Sequence, residues 1–142
     1  MDNYLSAESL IIERLRTQVT GVRAVLSAAD LAGVEEAKQV TPALHVLYDG
    51  DDLGDRAADG ADGIVRQRWL VMVAVRNARG QASGAGAREV AGPIILQVLA
   101  ALGGWQPDEE HGALVRIPAP RPAFSPGGFA YFPLAFHSAI SP

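Results

Sequence analysis

A chain of 142 residues is the size of one domain, large enough to bury about two-thirds of the surface its unfolded form would expose. With no cysteine it can form no disulfide, offer no thiolate nucleophile and build no cysteine-rich zinc site. The formal net charge is −4, and the basic side consists of eleven arginines and the single Lys38, so there is no general attraction for nucleic acid.

The first twenty residues lack a basic leader followed by an apolar run, and no stretch approaches the roughly 18 consecutive apolar residues that cross a bilayer. The expectation is a soluble protein that is not exported by a signal peptide. An opening helix is predicted by Ser6 or Ser9 as caps, Glu8 and Glu13 early, and Leu5, Ile11 or Ile12, Leu15 and Val19 at helical spacing. Gly21 should end it. Val22 to Leu26 reads as a short strand, and residues 27–37 as a short helix or turn broken near Gly33.

Pro42 to Tyr48 then alternates as a strand, with Ala43, His45 and Leu47 on one face and Leu44, Val46 and Tyr48 on the other. Residues 49–63 hold six of the nine aspartates (Asp49, Asp51, Asp52, Asp55, Asp59 and Asp62), four glycines and only Arg56 on the basic side. Such a composition cannot bury itself, so an exposed, mobile acidic loop is expected there. Residues 64–77 follow as one long strand. Its odd positions, Val65, Gln67, Trp69, Val71, Val73 and Val75, form a core-like row, while the even row carries Arg66, Arg68 and Arg76 around Leu70, Met72 and Ala74. The middle is apolar on both faces, as in a strand covered from both sides, and the arginine-bearing ends should reach solvent or a partner.

After a Gly/Ala/Ser turn around Gly80 to Gly86, a helix is predicted from about Ala87 to Leu102, with Val90, Ile94, Ile95, Val98, Leu99 and Leu102 as its apolar stripe. Pro93 lies inside it. Either the helix kinks there or it starts there with Gly92 as its cap. Gly103-Gly104 stops it, Ala113 to Ile117 reads as a short strand entering Pro118-Ala-Pro-Arg-Pro, and Phe129 to Ser138 as a closing strand. In that last strand Phe132, Leu134 and Phe136 share one face, and Tyr131, Pro133, Ala135 and His137 the other. Pro133 cannot donate to a ladder, so the strand is placed at a sheet edge or bulged, where another subunit could pair.

Chemical motifs are weak. The calcium-hand template is met at Asp49, Asp51 and Gly54 but fails at Leu53, where an oxygen ligand is required, and at Gly60, where a glutamate should stand. His45, His111 and His137 have no metal-ligand spacing and read as ordinary strand or loop histidines. Ser83 lacks the Gly-x-Ser-x-Gly spacing, and Gly84-Ala-Gly86 is followed by Glu89 where a dinucleotide fingerprint needs a third glycine. Trp69 lies on the core row, and Trp105 reads as a lid over the end of the core. No enzymatic function and no cofactor are expected.

The succession Val40-Thr-Pro-Ala-Leu-His-Val-Leu-Tyr-Asp-Gly, Arg68-Trp-Leu-Val-Met-Val-Ala-Val-Arg-Asn, Arg88-Glu-Val-Ala-Gly-Pro-Ile-Ile-Leu-Gln-Val-Leu-Ala-Ala-Leu-Gly-Gly-Trp, Ala119-Pro-Arg-Pro and Gly128-Phe-Ala-Tyr-Phe-Pro-Leu-Ala-Phe resembles the tail terminator proteins of long-tailed bacteriophages, including Mu-like phages and prophages. The resemblance covers nearly the whole chain in order, length and segment character; it is not a catalytic signature. It implies a small α/β (α+β) domain over residues 1–142, a mixed, largely antiparallel sheet with two main helices packed on it. It also implies a homo-oligomer, a hexameric ring that ends tail-tube polymerisation and forms the head–tail joining surface. The implied partners are the tail tube protein and a head–tail connector protein, with no membrane, and DNA passing the lumen without specific binding. The implied location is the head-proximal end of the virion tail, assembled in the bacterial host cytoplasm.

The family has no active-site motif to carry over, so the contact residues are inferred from this chain. Arg66, Arg68, Arg76, Tyr131 and Pro133 are the expected subunit or tube contacts, and Asp49, Asp51, Asp52, Asp55, Asp59 and Asp62 are expected to face the lumen. Two other readings remain open: another head–tail joining protein that does not cap the tube, and a metal-binding module using the aspartate-rich segment.

Overall fold

The period-2 pattern of residues 64–77 becomes the central strand of the protein. The computed structural model describes residues 1–31, 33–54, 63–77 and 85–142. In chain order these form α1 (Ala7–Gln18), β1 (Ala24–Ser27), α2 (Ala28–Leu31), a 3₁₀ turn (Glu36–Lys38), β2 (Ala43–Leu53), β3 (Val65–Arg76), α3 (Ala85–Leu102), β4 (Val115–Ile117), β5 (Ala123–Phe124) and β6 (Phe129–Ile140). The strands make one sheet in the order β1-β2-β3-β6-β4, with β5 also on β6. β1 runs parallel to β2, and every other pair is antiparallel. The mixed, mostly antiparallel α+β architecture is the one the family resemblance implies.

Parity decides the layers. Every odd residue of β3 from Val65 to Val75 is buried, and from Trp69 on they pack with Leu44 and Val46 of β2 and with Leu134 and Phe136 of β6. Against that row lie Ala7, Ile11 and Leu15 of α1 and Ala87, Ala91, Ile94, Val98 and Leu102 of α3. The polar member of the row, Gln67, stays buried because its Nε2 donates to the Tyr4 carbonyl at 2.6 Å. Both main helices therefore cover one face of the sheet. Where α1 meets α3, Arg14 Nε donates to the Ala101 carbonyl at 3.0 Å and its guanidinium stands 5.4 Å over the Trp105 ring. Trp105 thus closes the end of the core, as expected.

Three elements differ from the sequence expectation. β2 does not stop at Tyr48: it runs through Leu53, with Asp51, Asp52 and Leu53 paired to Gln67, Arg66 and Val65. Asp49, Asp51 and Asp52 are therefore strand residues and not part of a loop beginning at 49. A bulge between Tyr48 and Asp51, with Gly50 at φ +88°, absorbs the irregularity; a side chain there would be strained. The charges argued for solvent, and solvent is where strand margins can hold them.

β6 is not an edge strand. It pairs with β3 over its whole length, and its other side carries β4 at residues 135–137 and β5 at 130–131. Pro133 sits in the break between those two short strands, where no ladder needs its missing N–H.

The helix predicted from Ala87 starts at Ala85 and continues through Pro93. Its buried stripe uses Ala87, Ala91 and Ala101, small residues that let the helix approach the sheet, while Val90 of the expected stripe is 43% exposed. The segment after β1 does split around Gly33, as expected, into α2 and the 3₁₀ turn. Ser6 stands at the N-cap of α1 but makes no side-chain cap bond.

Candidate assembly surface

The face of the sheet turned away from α1 and α3 collects all five residues expected to make contacts. On β3 these are Arg66, Arg68 and Arg76; the register places Pro133 opposite Met72 and Tyr131 opposite Ala74, which puts both on the same face. They do not form one cluster. Ten residues of strand separate Arg66 from Arg76, about 33 Å at the usual rise.

Their environments differ. Arg68 is already engaged inside its own chain, with Nη1 2.8 Å from Asp52 Oδ1, Nε 3.7 Å from Asp49 Oδ2, and Nη2 donating to the Asp49 carbonyl at 3.0 Å. Arg76 lies 4.9 Å over the Phe129 ring, so its stem is partly fixed. Arg66 is exposed on the strand that carries them all. Tyr131 donates its hydroxyl to Glu36 at 2.8 Å and accepts from Gln39 Nε2 at 3.1 Å. Burial, then the bond to Glu36, pushes the Tyr131 phenol above its ordinary value. These bonds hold the crossover between β1 and β2 against one end of this face.

The described aspartates do not share a direction. Asp49 and Asp52 turn toward Arg68, whereas Asp51 follows Tyr48 to the helix side of the bulge, accepting from Tyr4 at 2.6 Å and from Tyr48 at 3.4 Å. Burial, with the Asp51 carboxylate next, raises the Tyr4 phenol far above its ordinary value. Asp55, Asp59 and Asp62 lie outside the described residues. Among the described residues, no group of three or more histidine or acidic side chains is placed to hold a metal ion.

His45 is packed into this face with 4% of its surface exposed, and among the described residues neither ring nitrogen has a hydrogen-bond partner. Burial pulls its pKa below the ordinary 6.5. The folded chain thus keeps a neutral ring where the unfolded chain takes a proton. Stability should be complete above about pH 6.5 and fall as pH drops below it, by at most about 1.4 kcal/mol per pH unit for one proton. Urea unfolding at pH 7.5 and 5.5 checks this: His45→Leu should show a smaller loss than the unaltered chain. The depressed carboxyls, Glu36 and Asp108, titrate below this window and leave it clear. At Asp108 burial alone would raise the carboxyl, but the bonds from His111 and from the backbone N–H of Glu110 and His111 outweigh it.

A feature that no sequence motif announced lies at the β1 margin. A groove of about 350 Å³ is lined by Arg16, Val19, Val22, Arg23, Ala24, Val25 and Leu26. It exists only because α1 and β1 are brought side by side, so neither segment read alone could reveal it.

Taken together these features define a structural module: an α+β sheet whose charged strand ends and margins are the surfaces on offer. The family model for the phage tail terminator protein matches residues 1–141, and the chain belongs to that family. It is a structural protein of the phage tail. No curated protein matches the chain.

Proposed function

We propose that copies of this chain form a ring, hexameric as in the resemblance, that sits on the head-proximal end of the tail tube, ends its polymerisation and presents the joining surface for the head. The observation that carries this reading is the match to the family over the whole length of the sheet and both main helices. The ends of the sheet face without helices support it, since Arg66 and Arg76 are exposed there and Tyr131 is half-buried, whereas Pro133 and the middle of the face, with Leu70, Ala74 and Ala135, are buried within the chain. The acidic end of the β2–β3 pair belongs at the lumen-side rim of the ring, where negative charge keeps passing DNA from adhering. Assembly takes place in the host cytoplasm, and no cofactor takes part.

The test uses purified protein mixed with tail tubes and imaged in negative stain. A ring on one tube end is expected, and a phage lacking this protein should make overlong tails. A protein that binds only the head side, with tails of normal length in its absence, would be a connector instead. Among the arginines, Arg66→Glu is the informative variant, because reversing Arg68 also disrupts its bonds to Asp49 and Asp52. Arg66→Glu should keep the monomer's thermal transition and lose capping; unchanged capping would remove Arg66 from the contact.

A further inference from the structure

The two margins of this sheet are not alike. On the β6 side the margin is β4 and β5, and the stretch between them holds Pro118, Pro120 and Pro122, which have no N–H to offer. On the other side β1 contains no proline, pairs with β2 in unbroken register and has no strand beyond it. The Arg23 N–H donates to the Pro42 carbonyl at 2.7 Å, so the backbone groups of Arg23, Val25 and Ser27 face β2, and strand alternation turns those of Ala24 and Leu26 outward. Among the described residues, Ala24 and Leu26 make no hydrogen bond on that open side.

The groove described above lies along this open edge. Residues 22–26 line it from the strand, and Arg16 and Val19 from the end of α1. Val19 and Val25 are buried and give it an apolar floor. Arg16 Nη2 donates to the Val25 carbonyl at 2.9 Å, which fixes that guanidinium beside the groove and leaves its other N–H groups to meet an acceptor. Arg23 is exposed, and among the described residues its side chain makes no hydrogen bond or ion pair. No acidic residue lines the groove. Unpaired backbone groups suit an added strand, the valines suit an apolar side chain on it, and the two arginines suit a carboxylate.

We infer that β1 takes on an extended segment of a different protein, one that carries a carboxylate and an apolar side chain on the face it turns toward α1. Main-chain bonds to Ala24 and Leu26 add it to the sheet, and Arg16 and Arg23 select it by charge. The margin strands of a second copy do not match: residues 113–124, which include β4 and β5, contain Arg116, Arg121 and three prolines but no acidic residue. Two arginine-bearing edges repel each other. The site is complete within one subunit, so it goes beyond the ring reading and does not depend on it.

The test uses the whole protein and a fluorescein-labelled peptide, Thr-Glu-Thr-Val-Thr-Glu-Thr, which carries both glutamates and the valine on one face of a strand. Fluorescence anisotropy should show saturable binding, weaker by at least about tenfold when lysine replaces both glutamates. N-methylation of the peptide's backbone amides should abolish it, because a strand bonds through those groups and a side-chain contact does not. Ala24→Pro removes an outward N–H and leaves the ladder to β2 intact, so it should keep the thermal transition and lose the peptide. Should that variant fail to fold, Arg23→Glu reads the same site from its exposed side chain and should shift the preference from the glutamate to the lysine peptide. No binding of the glutamate peptide at millimolar concentration, equal binding of the two peptides, or binding that survives N-methylation overturns the inference.

Discussion

Trp69→Ala is expected to cost about 3–5 kcal/mol and to lower the thermal midpoint by roughly 10 °C or more, the largest single loss in the molecule. Trp69 is wholly buried at the middle of the sheet, facing the helices, and its ring lies 5.2 Å from that of Tyr48, which in turn meets Tyr4 edge-on at 6.3 Å. Removing the indole opens a cavity bounded by β2, β3 and the N-terminal segment, elements that cannot collapse into it without breaking the ladder. Among the described residues the indole N–H has no hydrogen-bond partner, so the loss is one of packing. Trp105→Ala, at the half-exposed end of the core, is the control and should cost clearly less. Circular dichroism melts of the two variants decide the matter; a Trp69→Ala loss below that of Trp105→Ala would contradict this account of the core.

The second large effect runs the other way. Pro93→Ala should stabilise the protein by about 1–3 kcal/mol, because a proline inside a helix removes one N–H bond and presses its ring on the carbonyl four residues earlier. That carbonyl belongs to Glu89, and the helix nevertheless runs unbroken from Ala85 to Leu102. Pro93 is exposed, so alanine leaves no cavity behind. A rise in the thermal midpoint, with slower amide exchange around residues 89–93, is the expected result. No change in either would mean that the helix has already relaxed around the proline. A fall would mean that the ring makes a contact worth more than the bond it removes.

Much of this architecture was legible because periodicity survives into three dimensions. The odd row of β3 and the alternate faces of β6 are placed as their spacing predicts, and α1 lies where Ile11 and Leu15 put it. What could not be read has identifiable causes. The acidic composition after Tyr48 favours solvent, and only the register with Gln67, Arg66 and Val65 shows that a strand continues there. Pro133 argues for an edge, but the gap between β4 and β5 gives it an unladdered place inside the sheet. The alanines of α3 carry little hydrophobic signal, yet they set how close the helix lies to the sheet. At the proposed contact surface, spacing placed the arginines on one face but could not show that Arg68 is already held by Asp49 and Asp52.

The position of β6 has a consequence for how the protein is made. β3 is flanked by β2, its neighbour in the chain, and by β6, which is synthesised only after α3, β4 and β5. Leu134 and Phe136, which complete the core under the helices, both come from β6. During translation β3 must therefore wait, with one edge and part of its apolar row uncovered, until residues 129–140 leave the ribosome. A nascent chain stopped before Phe129 therefore lacks both the second neighbour of β3 and the side chains that close the core, so the fold is completed only when the last strand is made.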